Sequence, residues 1–219
     1  PTAPTSGIDF YQERRNNKEL LGFNISGKFD ICYNGQIHDI KTTKVWGYMA
    51  GTNDDNYIKQ MSIYRWLNQD IILDSVGIID YLFTDWSPMK ALADREYPQQ
   101  QIVEKAYTLM TIPETEAYIS DRLKKVIFFS NKEQKSMPIC SQEELWQTPT
   151  TYAYYKDSTK TTRSTKNFDN ITDANDRYQK DDGKGLIIKR PGVVKRCAYC
   201  NAAGVCDQRA QLEIEGLIK

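Results

Sequence analysis

Asn34-Gly35 lies between two short runs of alternating character, Gly27-Lys28-Phe29-Asp30-Ile31-Cys32-Tyr33 before it and Gln36-Ile37-His38-Asp39-Ile40-Lys41 after it. An Asn-Gly pair in this setting is the strongest local signal for a two-residue hairpin, because both central residues of the tight turn need positive φ. The register follows. Tyr33 faces Gln36, Cys32 faces Ile37, Ile31 faces His38, and Asp30 faces Asp39. Side chains alternate across a sheet, so Lys41 shares the face of Asp39, and Phe29, Ile31 and Ile40 are expected on the opposite, apolar face. His38 turns away from Asp39. The hairpin thus gathers two acids and a base.

Like charges directly opposed across a ladder destabilise it, so two facing carboxylates imply a neutralising cation. Mg²⁺ is the natural occupant, with Mn²⁺ as its substitute: a hard ion held by one or two carboxylates plus substrate phosphate, able to activate water. A lysine beside such an ion can position the attacking water or stabilise the transition state of phosphodiester hydrolysis. The pattern G-x-x-D, a hairpin, then D-x-K resembles the PD-(D/E)xK nuclease superfamily. That resemblance implies that Asp30 and Asp39 bind the metal and that Lys41 is the catalytic lysine.

Tyr57 to Leu67, YIKQMSIYRWL, places Ile58, Met61, Trp66 and Leu67 at spacings that suit an amphipathic helix. Gln60 and Tyr64 are four residues apart and share one of its faces. A Q-x-x-x-Y helix after the D-x-K strand resembles the RecB-like branch of the superfamily, which implies a DNA-contacting role for Gln60 and Tyr64.

Cys197, Cys200 and Cys206 form C-x2-C-x5-C near the C-terminal end. In a chain of this size without a secretory signal, such spacing points to a metal or cluster site and not to a disulfide framework. Cys140, in Met-Pro-Ile-Cys, is the expected fourth ligand, clasping the C-terminal segment onto the body. Four thiolates suit structural zinc or an iron–sulfur cluster. In company with the nuclease motif, the triplet is similar to that of RecB-like nucleases bearing a 4Fe-4S cluster, among them AddB and CRISPR adaptation exonucleases, so 4Fe-4S is expected, with zinc as the alternative. Phage-encoded RecB-like nucleases are similar over most of the chain from about Glu13 onward. The shared phrases are Ile25-Ser26-Gly27, Thr42-Thr43 and Trp46 after Lys41, Thr84-Asp85-Trp86-Ser87, Tyr97-Pro98, Ile139-Cys140 with Trp146 following, and Arg190-Pro191-Gly192.

Those relatives carry an upstream helix with a metal-binding His and a Glu. Here the only histidine is His38. Glu13 is the best match for the Glu and Glu19 the runner-up, and either also reads as a solvated helix charge. No cysteine lies upstream of Cys32, which reads as a small half-buried residue. Residues 1–7 read as a disordered or cut edge.

With 29 basic and 29 acidic side chains the net charge is zero, which argues against bulk electrostatic binding of nucleic acid and leaves local patches for any DNA site. Lys156, Lys160, Arg163 and Lys166 form one candidate, in a polar run (156–184) that reads as a loop. Lys189, Arg190, Lys195 and Arg196 form the other. No apolar stretch approaches the ~20 residues of a membrane span, so no membrane partner and a cytoplasmic location, in a bacterial host if phage-encoded, are expected.

Val76 to Phe83 and Gln101 to Met110 read as strands, and Thr111-Ile-Pro-Glu114 as a capping box opening a helix to about Phe129. The expected fold is α/β: a PD-(D/E)xK restriction-endonuclease-like core over 1–136, a mixed sheet flanked by helices, with a cysteine-clasped segment over 137–219 packed on it. The function implied by the resemblance is a metal-dependent DNA exonuclease working with recombination, repair or replication proteins. The alternative is a catalytically silent DNA-binding or assembly module.

Overall fold

A computed structural model describes residues 9–218. The chain divides into two compact units, one ending at Phe128 and the other beginning at Phe129.

In the first unit the order is β1 (Phe10–Gln12), β2 (Arg15–Leu20), β3 (Phe23–Lys28), β4 (Ile31–Tyr33), β5 (Gln36–Thr43), α1 (Val45–Met49), α2 (Asp54–Leu67), β6 (Val76–Phe83), α3 (Pro88–Ala93), β7 (Ile102–Thr108) and α4 (Ile112–Phe129). A five-stranded mixed sheet runs β1-β4-β5-β6-β7, with β2 and β3 forming a separate ribbon. Only β5 and β6 pair in parallel, and α2 lies in the crossover between them. This is a mixed α/β architecture, a mixed sheet flanked by helices.

The Asn34-Gly35 turn forms with both residues at positive φ, 48° and 85°. Its ladder pairs Tyr33 with Gln36, Cys32 with Ile37 and Ile31 with His38, the expected register. The assignment of faces needs correction. The face shared by Ile37 and Asp39 is the buried one, and Ile40 on the other face is 50% exposed. Phe29, just before β4, and Cys32 are buried outright. The apolar content of the strand misled because the α2-covered face is where the acid sits.

Two glycines let α2 approach. A Cβ on Gly27 of β3 would stand 2.9–3.0 Å from Leu67 and Tyr64, and one on Gly77 of β6 would stand 2.7 Å from Met61 Sδ. α2 therefore rests on bare backbone at two points, and Met61, Trp66 and Leu67 are buried beneath it. Ser62 Oγ adds a polar tie, accepting the Met110 N–H at 3.0 Å. The Thr111 capping box forms as read: Glu114 Oε2 accepts from Thr111 N–H at 2.8 Å, and Thr111 Oγ1 accepts from Glu114 N–H at 3.3 Å. No upstream helix is present at Glu13 or Glu19 among the described residues. Residues 10–28 are strands joined by a Leu21-Gly22 turn, again with positive φ at both positions.

In the second unit β8 (Thr151–Tyr155), β9 (Lys166–Phe168), α5 (Ile171–Lys180), β10 (Leu186–Arg190) and α6 (Asp207–Ile214) follow. The sheet order is β10-β8-β9, antiparallel throughout. The run 156–184, read as a loop, contains β9 and α5, the latter capped by Asn170 Oδ1 accepting from Asp173 N–H at 2.8 Å. A small core of Leu145, Val194, Cys197 and Leu212 underlies the cysteine triplet. Gly192 is obligatory, since a Cβ there would fall 1.6 Å from the Thr148 carbonyl oxygen. Among the described residues no helix is long and apolar enough to cross a membrane.

Candidate functional site

Asp39 sits in the middle of β5 and is 1% exposed. Its Oδ1 accepts a hydrogen bond from Gln60 Nε2 at 3.3 Å, and Lys41 Nζ lies 2.5 Å from Oδ2. That buried ion pair is the contact Oδ2 makes. Gln60 Nε2 also donates to Tyr64 OH at 2.9 Å, so the Q-x-x-x-Y face of α2 is turned onto Asp39. Burial pushes the Asp39 carboxyl above its ordinary value, Lys41 pulls it back, and Asp30 and Asp80 push it up further.

Asp30 stands just beyond the β4–β5 ladder. Its Oδ2 accepts from Ile40 N–H at 2.9 Å, and its carbonyl accepts from Glu13 N–H at 2.8 Å. Glu13 is thus beside Asp30 through its backbone, but its carboxylate is half-exposed and paired with Lys28. Glu19 lies exposed on β2. His38 is on the far face, with Nδ1 3.1 Å from Asp80 Oδ2, as the register required.

Sequence reasoning missed the aromatic and polar surroundings of Lys41. Lys41 lies 5.6 Å from the Tyr57 ring centroid, and Tyr81 is its partner in register on β6. Tyr81 OH is 2.6 Å from Tyr107 OH, Tyr107 OH donates to Asp54 Oδ1 at 2.8 Å, and Lys105 Nζ donates to Asp54 Oδ2 at 2.7 Å. Burial opposes ionisation of Asp54, yet the bonds from Lys105 and Tyr107 hold its carboxyl below the usual range. Burial likewise pushes the Tyr81 hydroxyl up to about 12. This chain ties the first turn of α2 to β7 and so fixes the helix that carries Gln60. The alternation of Val103, Lys105 and Tyr107 on β7 was the available signal.

All five cysteines are free thiols. Among the described residues no group of three or more His, Cys, Asp or Glu side chains is gathered in an arrangement that could hold a metal ion. One or two carboxylates are nonetheless what Mg²⁺ ordinarily takes from a protein, and Asp39, with Asp30 within electrostatic reach, is of that donor type. In the second unit the thiols of Cys140, Cys197, Cys200 and Cys206 lie within electrostatic reach of one another. Burial first, then Glu144 and the other three thiols, raises Cys140, while burial and its neighbours raise Cys197 against the pull of Arg209. Gln208, in the first turn of α6, grips the Cys140 backbone twice: Oε1 accepts from N–H at 2.8 Å and Nε2 donates to the carbonyl at 2.9 Å. Cys206 Sγ caps the same helix by accepting from Arg209 N–H at 3.4 Å. Arg209 Nε is buried without a hydrogen-bond partner, while its terminal nitrogens donate to the Ala203 carbonyl at 3.1 Å and pair with Glu213 at 2.6 Å. The four thiols are of the donor type that thiolate-bound metals take, though they are not gathered into a ligand geometry here.

No protein-family model matches the chain, and no curated protein matches it. A solved structure described as the crystal structure of SSO0001 is similar at 19% identity, over 58% of this chain and 56% of that one, with a TM-score of 0.37. The aligned part spans about half the length of that chain, and so slight a likeness carries no argument.

Proposed function

We propose that this chain is a metal-dependent deoxyribonuclease of the RecB-like PD-(D/E)xK type, an exonuclease acting at DNA ends in recombination, repair or replication. The observation that carries the reading is the placement of Asp39: a carboxylate buried in the central sheet, paired with Lys41, adjoined by Asp30 and touched by Gln60 from α2. Burying a charge is costly, and a fold that does so beside a second acid has a use for the charge. Asp39 and Asp30 would hold Mg²⁺ or Mn²⁺, with Glu13 adjusting the site from the neighbouring turn. When bound, the ion supplies Lewis-acid stabilisation of phosphoryl oxygens and lowers the pKa of water. Lys41 Nζ would orient the attacking water or neutralise charge on the phosphate. Gln60 holds Asp39 Oδ1 in place, and Tyr64 holds Gln60. In the second unit Cys140, Cys197, Cys200 and Cys206 would hold a 4Fe-4S cluster, or zinc in its place, bracing a small core.

A silent DNA-binding or assembly module is the second reading, favoured by the engagement of Glu13 with Lys28 and by the absence of a histidine on the Asp39 face. One assay separates them. End-labelled linear and closed circular DNA are incubated with Mg²⁺ or Mn²⁺ and either the anaerobically purified chain or Lys41→Ala. The nuclease degrades linear DNA and the variant loses roughly 10²–10³-fold in rate. No cleavage by either protein, with metal retained at the cysteines, selects the silent module.

A further inference from the structure

Two large aromatic rings of the second unit are left in solvent side by side. Trp146 is 51% exposed and Tyr199 is 72% exposed, with ring centroids 6.1 Å apart and a tilt of 46°. The Arg196 guanidinium lies over the Trp146 ring at 4.9 Å. This is a built arrangement. Trp146 has φ of +50°, a left-handed conformation that costs a bulky residue strain and persists only where the surroundings impose it. They do so here: the neighbouring Leu145 is buried in the small core, and its carbonyl accepts the N–H groups of Lys195 at 3.3 Å and Arg196 at 3.0 Å. Those two bonds bring the arginine to the tryptophan. Tyr199 closes the same 3-10 turn, Arg196–Tyr199.

Cations without ion pairs flank the rings, with Glu143 and Glu144 on the turn that precedes Trp146. Lys195 and Arg196 make no ion pair among the described residues, and Lys189 is exposed on β10. Of the nearby acids, Glu144 is occupied by the Ser141 N–H at 2.9 Å. Exposed aromatic faces interleaved with unpaired cations are the two ingredients of sequence-tolerant single-strand recognition, in which bases stack on rings and phosphates are neutralised beside them. A duplex does not present its base faces, so the rings select unpaired strands.

We propose that Trp146, Arg196 and Tyr199 form a stacking platform for the bases of single-stranded DNA. The choice of DNA rests on the nuclease reading above; the stacking itself does not. The test measures anisotropy of a labelled oligothymidylate on the full chain without added divalent cation, against an abasic strand and a duplex of equal length. The wild type prefers the base-bearing strand to the abasic one. Trp146→Ala and Tyr199→Ala each weaken binding about 5- to 150-fold with the salt dependence unchanged, whereas Trp146→Phe keeps most of the affinity. Arg196→Gln lowers the salt slope by about one. Equal binding of thymidine and abasic strands overturns the platform, as does wild-type affinity in Trp146→Ala. A chain that shows the stacking preference but never cleaves keeps the platform and discards the nuclease. A Lys41-dependent nuclease indifferent to Trp146 and Tyr199 does the reverse.

Discussion

The Asp39 site and the cysteine segment place their reactive groups by different means. Asp39, Lys41 and Gln60 sit on a central strand and on a helix seated over two glycines, so sheet register and helix packing fix them. Cys140, Cys197, Cys200 and Cys206 sit on loops and 3-10 turns, and what holds the distant Cys140 to the others is the pair of hydrogen bonds from one side chain, Gln208. The first site is preorganised by the fold. The second is held by side-chain hydrogen bonds between loops, not by a sheet ladder.

Asp39→Asn breaks the comparison at its strongest point. Cleavage falls by at least about 100-fold, beyond the 10–100-fold cost of losing a mere outer-shell partner. Folding raises the Asp39 carboxyl above its unfolded value, so this group favours folding at acid pH, and that contribution is lost as pH rises through the raised folded value. At neutral pH the charged form opposes folding. Relative to wild type, the variant is therefore more stable at pH 7 than in acid, as calorimetry at two pH values checks.

Cys140→Ser tests the second region. It sheds metal as severely as Cys197→Ser, and Gln208→Ala weakens retention roughly 10–100-fold through positioning alone. Metal content after graded chelation, with the charge-transfer absorbance of thiolate-bound iron or added Co²⁺, reads all three. Full retention in Cys140→Ser removes it from the ligand set. A smaller effect comes from Gly27→Ala, which drives a methyl into Tyr64 and Leu67. It costs about 1–3 kcal/mol in denaturant unfolding and disturbs Gln60 as well. Thr111→Ala removes one side of the capping box at α4 for about 1 kcal/mol, with cleavage unchanged.

What was legible in the chain was what short-range chemistry decides. Asn34-Gly35 fixed a ladder, Val76–Phe83 is the strand its β-branched run implied, and Thr111 with Glu114 started a helix where expected. The face of β5 was misread because apolarity alone was used to choose it. Ile40 lies half-exposed while Asp39 lies buried, an inversion that only the position of α2 explains. Residues 10–28 escaped because their turn is Leu21-Gly22, without the asparagine that advertises positive φ. α5 escaped because its sequence, ITDANDRYQK, buries only Ala174. Gln208 gave no signal, since a glutamine on a polar helix reads as solvated until the residue it grips, 68 positions away, is known.

The parallel pairing of β5 with β6 has a consequence in time. Every other ladder of the five-stranded sheet is antiparallel, and the β4–β5 hairpin can zip up on its own within microseconds. β6 can join β5 only after the intervening chain has crossed, so that contact carries a loop-closure cost and belongs to the slow part of folding. Asp39 becomes buried, and Gln60 arrives beside it, only at that step. A newly made chain therefore carries its two acids on an early hairpin, in water and without their helix, and acquires the site late, once the crossover is closed.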